Sequence, residues 1–162
     1  MKTLYLISGT MGVGKTTVCR ELKKILPNAV MLDGDWCWDM DPFVVTEETK
    51  AMVMDNIRHL LRNFLRCSTI ENVVFCWVMH EQSIIEDVLQ DLPECRVVSI
   101  SLICSEEALF ARLEKDIDAG LRQPDILERS SAKLPLYTLL DTQMIDTTGL
   151  SPSRIAQKIA KK

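Results

Sequence analysis

Lys15 and Thr16 close a glycine-rich segment, Gly9-Thr10-Met11-Gly12-Val13-Gly14-Lys15-Thr16, that satisfies the pattern G-x-x-x-x-G-K-[ST]. In that pattern successive backbone N–H groups point into one concavity, and the start of a helix adds its positive dipole. The lysine reaches the terminal phosphates and the threonine hydroxyl ligates Mg²⁺. The amides from Gly12 to Thr17 would form the cradle, so the chemistry implied is the gripping of a nucleotide's polyphosphate. A chance match in a glycine-rich turn is the alternative, and the flanking residues argue against it. Thr3–Ser8 before the segment reads as a buried strand, and Thr17–Leu26 after it reads as an amphipathic helix.

A second group of chemically able residues follows. Asp33-Gly34-Asp35 stands after a short apolar run, Ala29–Leu32, and His80-Glu81 stands after a longer one, Val73–Met79. Both residue types of Asp-Gly-Asp also favour plain turns, and a lone histidine more often caps the next helix than touches a ligand. Past the acids comes an aromatic-rich stretch with Trp36, Trp38, Met40 and Phe43. Such a wall suits a flat or apolar molecule, with core packing as the alternative. Arg58, Arg122, Arg129 and Lys133 are the cations further along. Arg58 is read either as a ligand for an acidic acceptor or as a surface arginine. Arg122 and Arg129 are read either as phosphate contacts or as partners of Asp116, Glu114 or Glu128.

The elements that must position these residues can be traced along the chain. Thr46 reads as a helix N-cap with Glu47 and Glu48 in the first turn, and the apolar spacing from Met52 to Leu65 continues that helix to Cys67. Val73–Met79 is continuously apolar, as a parallel strand covered on both faces should be. A helix near Ser83–Gln90, a strand at Arg96–Ile103, and a helix capped by Ser105 and ending near Gly120 come next. Residues 121–137 are polar and interrupted by Pro124 and Pro135. A short last strand at Gln143–Asp146 turns through Thr147-Thr148-Gly149 into a closing helix that begins Ser151-Pro152. Strand and helix alternate five times, which predicts a parallel sheet with helices on both faces. Ligands of such sheets bind beyond the carboxyl ends of the strands. The phosphate loop, the two aspartates, His80-Glu81 and the Cys104–Ser105 turn all follow strand ends and are expected to converge there.

Bulk properties narrow the reading. A chain of 162 residues suits one domain with one sizeable core. Its net charge of −4, with both signs mixed along the chain, argues against a general nucleic-acid binder. Six cysteines show no C-x-x-C and no zinc-like spacing, which reads as reduced, mostly buried thiols of a cytoplasmic protein. The first core strand begins almost at once and no apolar run is long enough to span a bilayer, so neither a leader nor a membrane anchor is expected.

With the phosphate loop, the Asp33-Gly34-Asp35 turn and the arginine-bearing segment 115–135 together, the chain resembles the small P-loop kinases over nearly its whole length. That group includes nucleoside monophosphate kinases, shikimate and gluconate kinases, and chloramphenicol phosphotransferase. The resemblance implies a three-layer α/β/α fold with a five-stranded parallel sheet in the order 2-3-1-4-5. It also implies a lid at about 115–135, and ATP and Mg²⁺ as cofactors. It assigns Asp33, with Thr16, to the metal and its water, and Asp35 to the acceptor hydroxyl. Arg112 matches the arginine that packs on adenine, Thr148-Gly149 the turn beside it, and Arg122 a lid arginine over the phosphates. The substrate side would comprise Asp35, Trp36, Arg58 and His80.

Two departures from the family pattern stand out. Lys115 replaces a second arginine that often follows the Arg112 position, and the third strand ends Val78-Met79-His80-Glu81, without the metal-shell aspartate of many P-loop proteins. Either Asp33 takes that part, or Glu81 does from a displaced position. The expectation is a kinase that transfers the γ-phosphoryl group to a hydroxyl of a small molecule, with Lys15, Asp35 and Arg122 catalytic. A nucleoside monophosphate kinase and a nucleotide-binding regulatory module without phosphotransfer are the alternatives. Oligomeric state is not legible.

Overall fold

Alternating side chains on the central strands divide the interior in two. The computed structural model describes residues 1–162. Its strands are β1 (Thr3–Ser8), β2 (Ala29–Asp33), β3 (Asn72–Trp77), β4 (Arg96–Ile103) and β5 (Gln143–Asp146). All pair in parallel, in the order β2-β3-β1-β4-β5. The fold expected from the sequence is therefore the one observed.

The helices are α1 (Lys15–Ile25), α2 (Glu47–Arg66), α3 (Gln82–Leu89), α4 (Glu106–Asp118), α5 (Ile126–Lys133) and α6 (Pro152–Ile159). Because successive residues of a strand point to opposite faces, Leu4, Leu6, Val73 and Phe75 pack with Val53, Ile57 and Leu61 of α2 and Ile85 and Val88 of α3. Tyr5, Ile7, Val74 and Cys76 face the other way, toward Val18, Cys19 and Leu22 of α1, Leu109 and Leu113 of α4, and Ile155 and Ile159 of α6. No helix is long and apolar enough to cross a membrane.

The strand register gathers the chemistry at one edge. Ser8 lies opposite Trp77 and Ser101, and Asp33 lies opposite Cys76. The loops after β1, β2 and β3 thus leave the sheet side by side. β3 stops at Trp77, two residues short of the end expected from the apolar run, which frees Val78 and Met79 to carry the chain toward α3.

Residues 121–137 depart further from their polar appearance. They contain α5 and a 3₁₀ segment, Leu134–Leu139, and they bury Ile126, Ser130 and Tyr137. The few apolar side chains here are spaced so that Ile126, Leu127 and Leu134 join the α1/α4/α6 core. A composition that looks solvated over the whole stretch conceals a narrow apolar stripe. Ile126→Ala should lower the unfolding free energy by about 2–5 kcal/mol, as for other buried large-to-alanine changes. Urea denaturation monitored by circular dichroism would read it; an unchanged midpoint would mean that α5 does not pack as described.

Candidate active site

Helix α1 begins without a side-chain cap. Its N-cap is Gly14, in a left-handed conformation (φ 103°) that non-glycine residues seldom adopt. Its first turn carries no acidic residue, whereas α2 and α4 begin with Glu47/Glu48 and Glu106/Glu107 under Thr46 and Ser105 caps. The intrahelical ladder starts with Val18 N–H donating to the Gly14 carbonyl at 3.0 Å. The amides of Lys15, Thr16 and Thr17 precede that ladder, as orphan donors at a positive helix end.

The Lys15 ammonium lies back across its own loop, donating to the carbonyls of Gly9 at 2.8 Å and Thr10 at 3.0 Å. Burial lowers its pKa, against the opposing pull of Asp35 and Asp33. A desolvated ammonium with only carbonyl partners gains from the arrival of an anion.

Asp33 connects this loop to the second pair of strands. It is buried at the end of β2; its Oδ2 accepts from the Thr16 hydroxyl at 2.7 Å and its Oδ1 accepts from the Asp35 N–H at 3.1 Å. A hydroxyl and a carboxylate side by side are the all-oxygen donor pair that suits a hard cation. No three His, Cys, Asp or Glu side chains cluster closely enough to hold a metal alone. Mg²⁺ is held through one or two carboxylates and completes its shell with substrate phosphates and water, and the Thr16–Asp33 pair offers one such carboxylate.

Asp35 is held by a residue that the sequence reading passed over as core strand. Trp77 Nε1–H donates to Asp35 Oδ1 at 3.1 Å. The same indole covers Gly34 so closely that a Cβ there would sit 2.5 Å from a ring carbon. Glycine is thus required between the two acids by a close approach. Trp77 meets Trp38 edge to face at 5.8 Å, and Trp38 meets Phe43 likewise at 5.0 Å. These rings, Asp33, Asp35, Lys15 and Thr16 all line one cleft of about 1360 Å³. A pocket for one ligand usually measures about 300–1,000 Å³, so there is room for a nucleotide and a second molecule.

Among the other expected site residues, Met11, Gly12, Gly14, Thr17, Arg58, His80, Arg112 and Arg122 also line the cleft. Gly9, Thr10, Val13, Trp36, Thr148 and Gly149 do not line it. Val13 is buried in the core and Trp36 is turned outward, more than half exposed. Trp38 and Trp77 stand at the cleft wall instead of Trp36: Trp36 lies within the 3₁₀ turn Gly34–Cys37 and faces outward, while Trp38 caps that turn and Trp77 ends β3. Thr148 hydrogen-bonds Asp146 through its N–H at 2.8 Å and accepts from the Ser105 N–H at 2.9 Å. It thereby forms the turn between β5 and α6.

Four cations carry partners of their own. Arg112 donates to the Val13 carbonyl at 2.9 Å, to Thr147 Oγ1 at 3.1 Å and to the Thr147 carbonyl at 3.2 Å. It therefore joins the phosphate loop to the β5–α6 turn. Arg122 pairs with Asp116 at 3.0 Å, Arg129 with Asp125 at 3.1 Å, and Arg58 with Asp87 at 3.6 Å while its Nε donates to the Asp87 carbonyl.

Ser130 is a second residue that sequence reasoning missed. Fully buried on α5, it shares a hydroxyl contact with Thr10 at 2.9 Å, and its carbonyl accepts from Thr10 Oγ1 at 2.8 Å. Its hydroxyl also donates to the Met11 carbonyl. One serine in a run of polar residues offers no signal of this kind.

The fold and this cleft define the class: a P-loop kinase fold with its phosphate loop, acids and arginines at one sheet edge. The family model described as AAA domain matches residues 6–132, most of the chain, and the protein belongs to that family. No curated protein matches the chain. Solved structures similar in fold include the tunicamycin resistance protein of Deinococcus radiodurans, with a TM-score of 0.71 and 19% identity over 99% of this chain and 95% of that one. The shikimate kinase of Acinetobacter baumannii gives 0.65 and 22% over 99% and 92%. A gluconokinase of Sinorhizobium meliloti 1021 gives 0.68 and 18% over 97% and 89%.

Gly34→Ala should lower stability by about 1–3 kcal/mol, the usual cost of forcing atoms into a filled space. It should also shift the indole emission as Trp77 is displaced. Urea titration followed by tryptophan fluorescence reads both, and an unchanged spectrum and midpoint would mean that the turn moves aside freely.

His80 yields a pH prediction. Burial first, and then Lys133, lower its pKa below the ordinary 6.5, while Glu81 opposes them. The folded state therefore prefers neutral imidazole. The stability this contributes is present above pH 6.5 and is lost as the pH falls through the lower folded-state value. Melting temperature should thus fall on acidification from pH 6.5 down to that value, and less steeply in His80→Asn; equal slopes would remove His80 from the effect.

Proposed function

We propose that the protein is an ATP- and Mg²⁺-dependent kinase that transfers the γ-phosphoryl group to a hydroxyl of a small molecule. The observation that carries this reading is the continuous path Thr16–Asp33–Asp35–Trp77, which runs from the phosphate loop to a carboxylate at the wall of a two-substrate cleft. Nucleotide binding alone has no use for Asp35. The folds shared with a shikimate kinase and a gluconokinase support a small-molecule acceptor.

In this reading the amides of Gly12 to Thr17 bind the phosphates, and Lys15 leaves the Gly9 and Thr10 carbonyls for them. Thr16 and Asp33 hold Mg²⁺, which supplies charge neutralisation on the phosphate oxygens when bound. Arg112 uses three of its five in-plane donors on Val13 and Thr147, which fixes the guanidinium plane, and its face stacks on the base. Trp77 occupies Asp35 Oδ1, so Oδ2 accepts the proton of the acceptor hydroxyl. Residues 115–135 act as the lid. Arg122 acts from it once exchanged from Asp116 to phosphate, where a planar fork stabilises charge spread over equatorial oxygens.

A hydroxyl acceptor is favoured over a nucleoside monophosphate because the carboxylate of Asp35, which suits a hydroxyl proton and repels a phosphate, stands at the cleft wall. Asp35→Asn should leave MgATP affinity in calorimetry unchanged while turnover falls by roughly 10² or more, within the range of general-base catalysis. A coupled ADP-release assay against hydroxyl compounds and nucleoside monophosphates reads the turnover. Activity with the monophosphates alone, or an Asp35→Asn rate equal to that of the parent, would overturn the reading.

A further inference from the structure

Large apolar side chains left in water at one place point to something that covers them. Here several gather at the acceptor end of the cleft. Phe43 is 58% exposed and Val45 51%, and both line the cleft; Trp36, at 53%, lies just outside it. The rings form a ladder, from Trp77 beside Asp35 through Trp38 to Phe43. A molecule whose hydroxyl meets Asp35 Oδ2 therefore extends the rest of itself along aromatic surface.

Charge at this end selects further. Arg58 pairs there with Asp87 and Lys50 with Glu47 at 3.0 Å, while Lys133 lines the cleft near His80. The carboxylates Asp39 and Asp55 line the same wall, with neither a salt bridge nor a hydrogen bond to a basic side chain. An anionic group placed beside Asp39 and Asp55 would give up its water to meet like charge. A ring placed here buries apolar area and gains edge-to-face contacts.

Resting on the kinase reading above, we infer that the acceptor is a non-anionic hydroxyl compound bearing an aromatic or comparably apolar ring, which packs against Trp38 and Phe43. In the transfer, the acceptor oxygen forms a bond to the γ-phosphorus and the bond from that phosphorus to the β,γ-bridging oxygen breaks. ADP leaves with the electron pair, and the hydroxyl proton passes to Asp35.

The test pairs compounds that share their hydroxyls and differ in the ring: phenyl and methyl β-D-glucoside, and N-benzoyl- and N-acetyl-ethanolamine. D-gluconate serves as the acidic comparison. Calorimetry on the whole protein with Mg²⁺ and a non-hydrolysable ATP analogue measures binding, and ADP release with MgATP measures transfer. The expected result is that at least one ring-bearing member binds about tenfold or more tightly than its partner, since one such packed ring is equivalent to that ratio. Trp38→Ala and Phe43→Ala should each remove most of that preference and leave the affinity for the nucleotide analogue unchanged. Phe43 is exposed, so its variant keeps the test usable even if Trp38→Ala fails to fold.

Equal or tighter binding of the methyl, acetyl or acidic compounds overturns the inference, as does the absence of saturable binding by either ring-bearing compound. A change of oligomeric state in Phe43→Ala, read by light scattering, also overturns it and assigns the patch to a second copy of the chain. If hydroxyl transfer occurs without ring preference, the inference fails and the kinase reading stands. Transfer to monophosphates alone defeats the kinase reading itself.

Discussion

A buried carboxylate must be paired or hydrogen-bonded to remain charged, and the site is organised around how Asp33 meets that requirement. One oxygen takes the Thr16 hydroxyl from the phosphate loop, and the other takes the backbone N–H of Asp35. A single side chain thereby sets the distance between the element that grips polyphosphate and the acid proposed to handle the acceptor. The parallel register makes this possible, because β1 and β2 both flank β3 and release their loops at the same edge. In-line transfer depends on holding two reactants in a narrow range of geometry, and a fixed spacer of this kind is how a scaffold supplies it.

Elements whose signals are local were legible in the sequence. The phosphate loop is a contiguous pattern between a strand and a helix, and the strand–helix alternation leads to the sheet order with few alternatives. The capping residues Thr46, Ser105 and Ser151 each accept a backbone hydrogen bond at the helix starts expected of them. The position of Asp33 was also readable, since it ends a strand beside the loop.

What escaped was contact between residues far apart in the chain. Trp77 reads as one more apolar residue in a buried strand, and only the third dimension turns its N–H toward Asp35, 42 residues away. Gly34 looks like a turn residue, while the reason for it is an indole from another strand. Trp36 and Trp38 are equivalent by composition; the first lies within a 3₁₀ turn and faces outward, and the second caps that turn and stands at the cleft wall. Segment 121–137 misled for a different reason: its average polarity hides the three or four positions that face inward.

The Thr10–Ser130 pair joins the phosphate loop to α5 through hydroxyls sealed from water. Moving α5 off the loop would break these bonds and leave water to take their place. A displacement of the loop at Thr10 or Met11 is therefore passed directly to α5. Whatever free energy an ordered α5 lends to anion binding, a bound anion lends in equal measure to the ordering of α5, since coupling between two such events is the same in either direction.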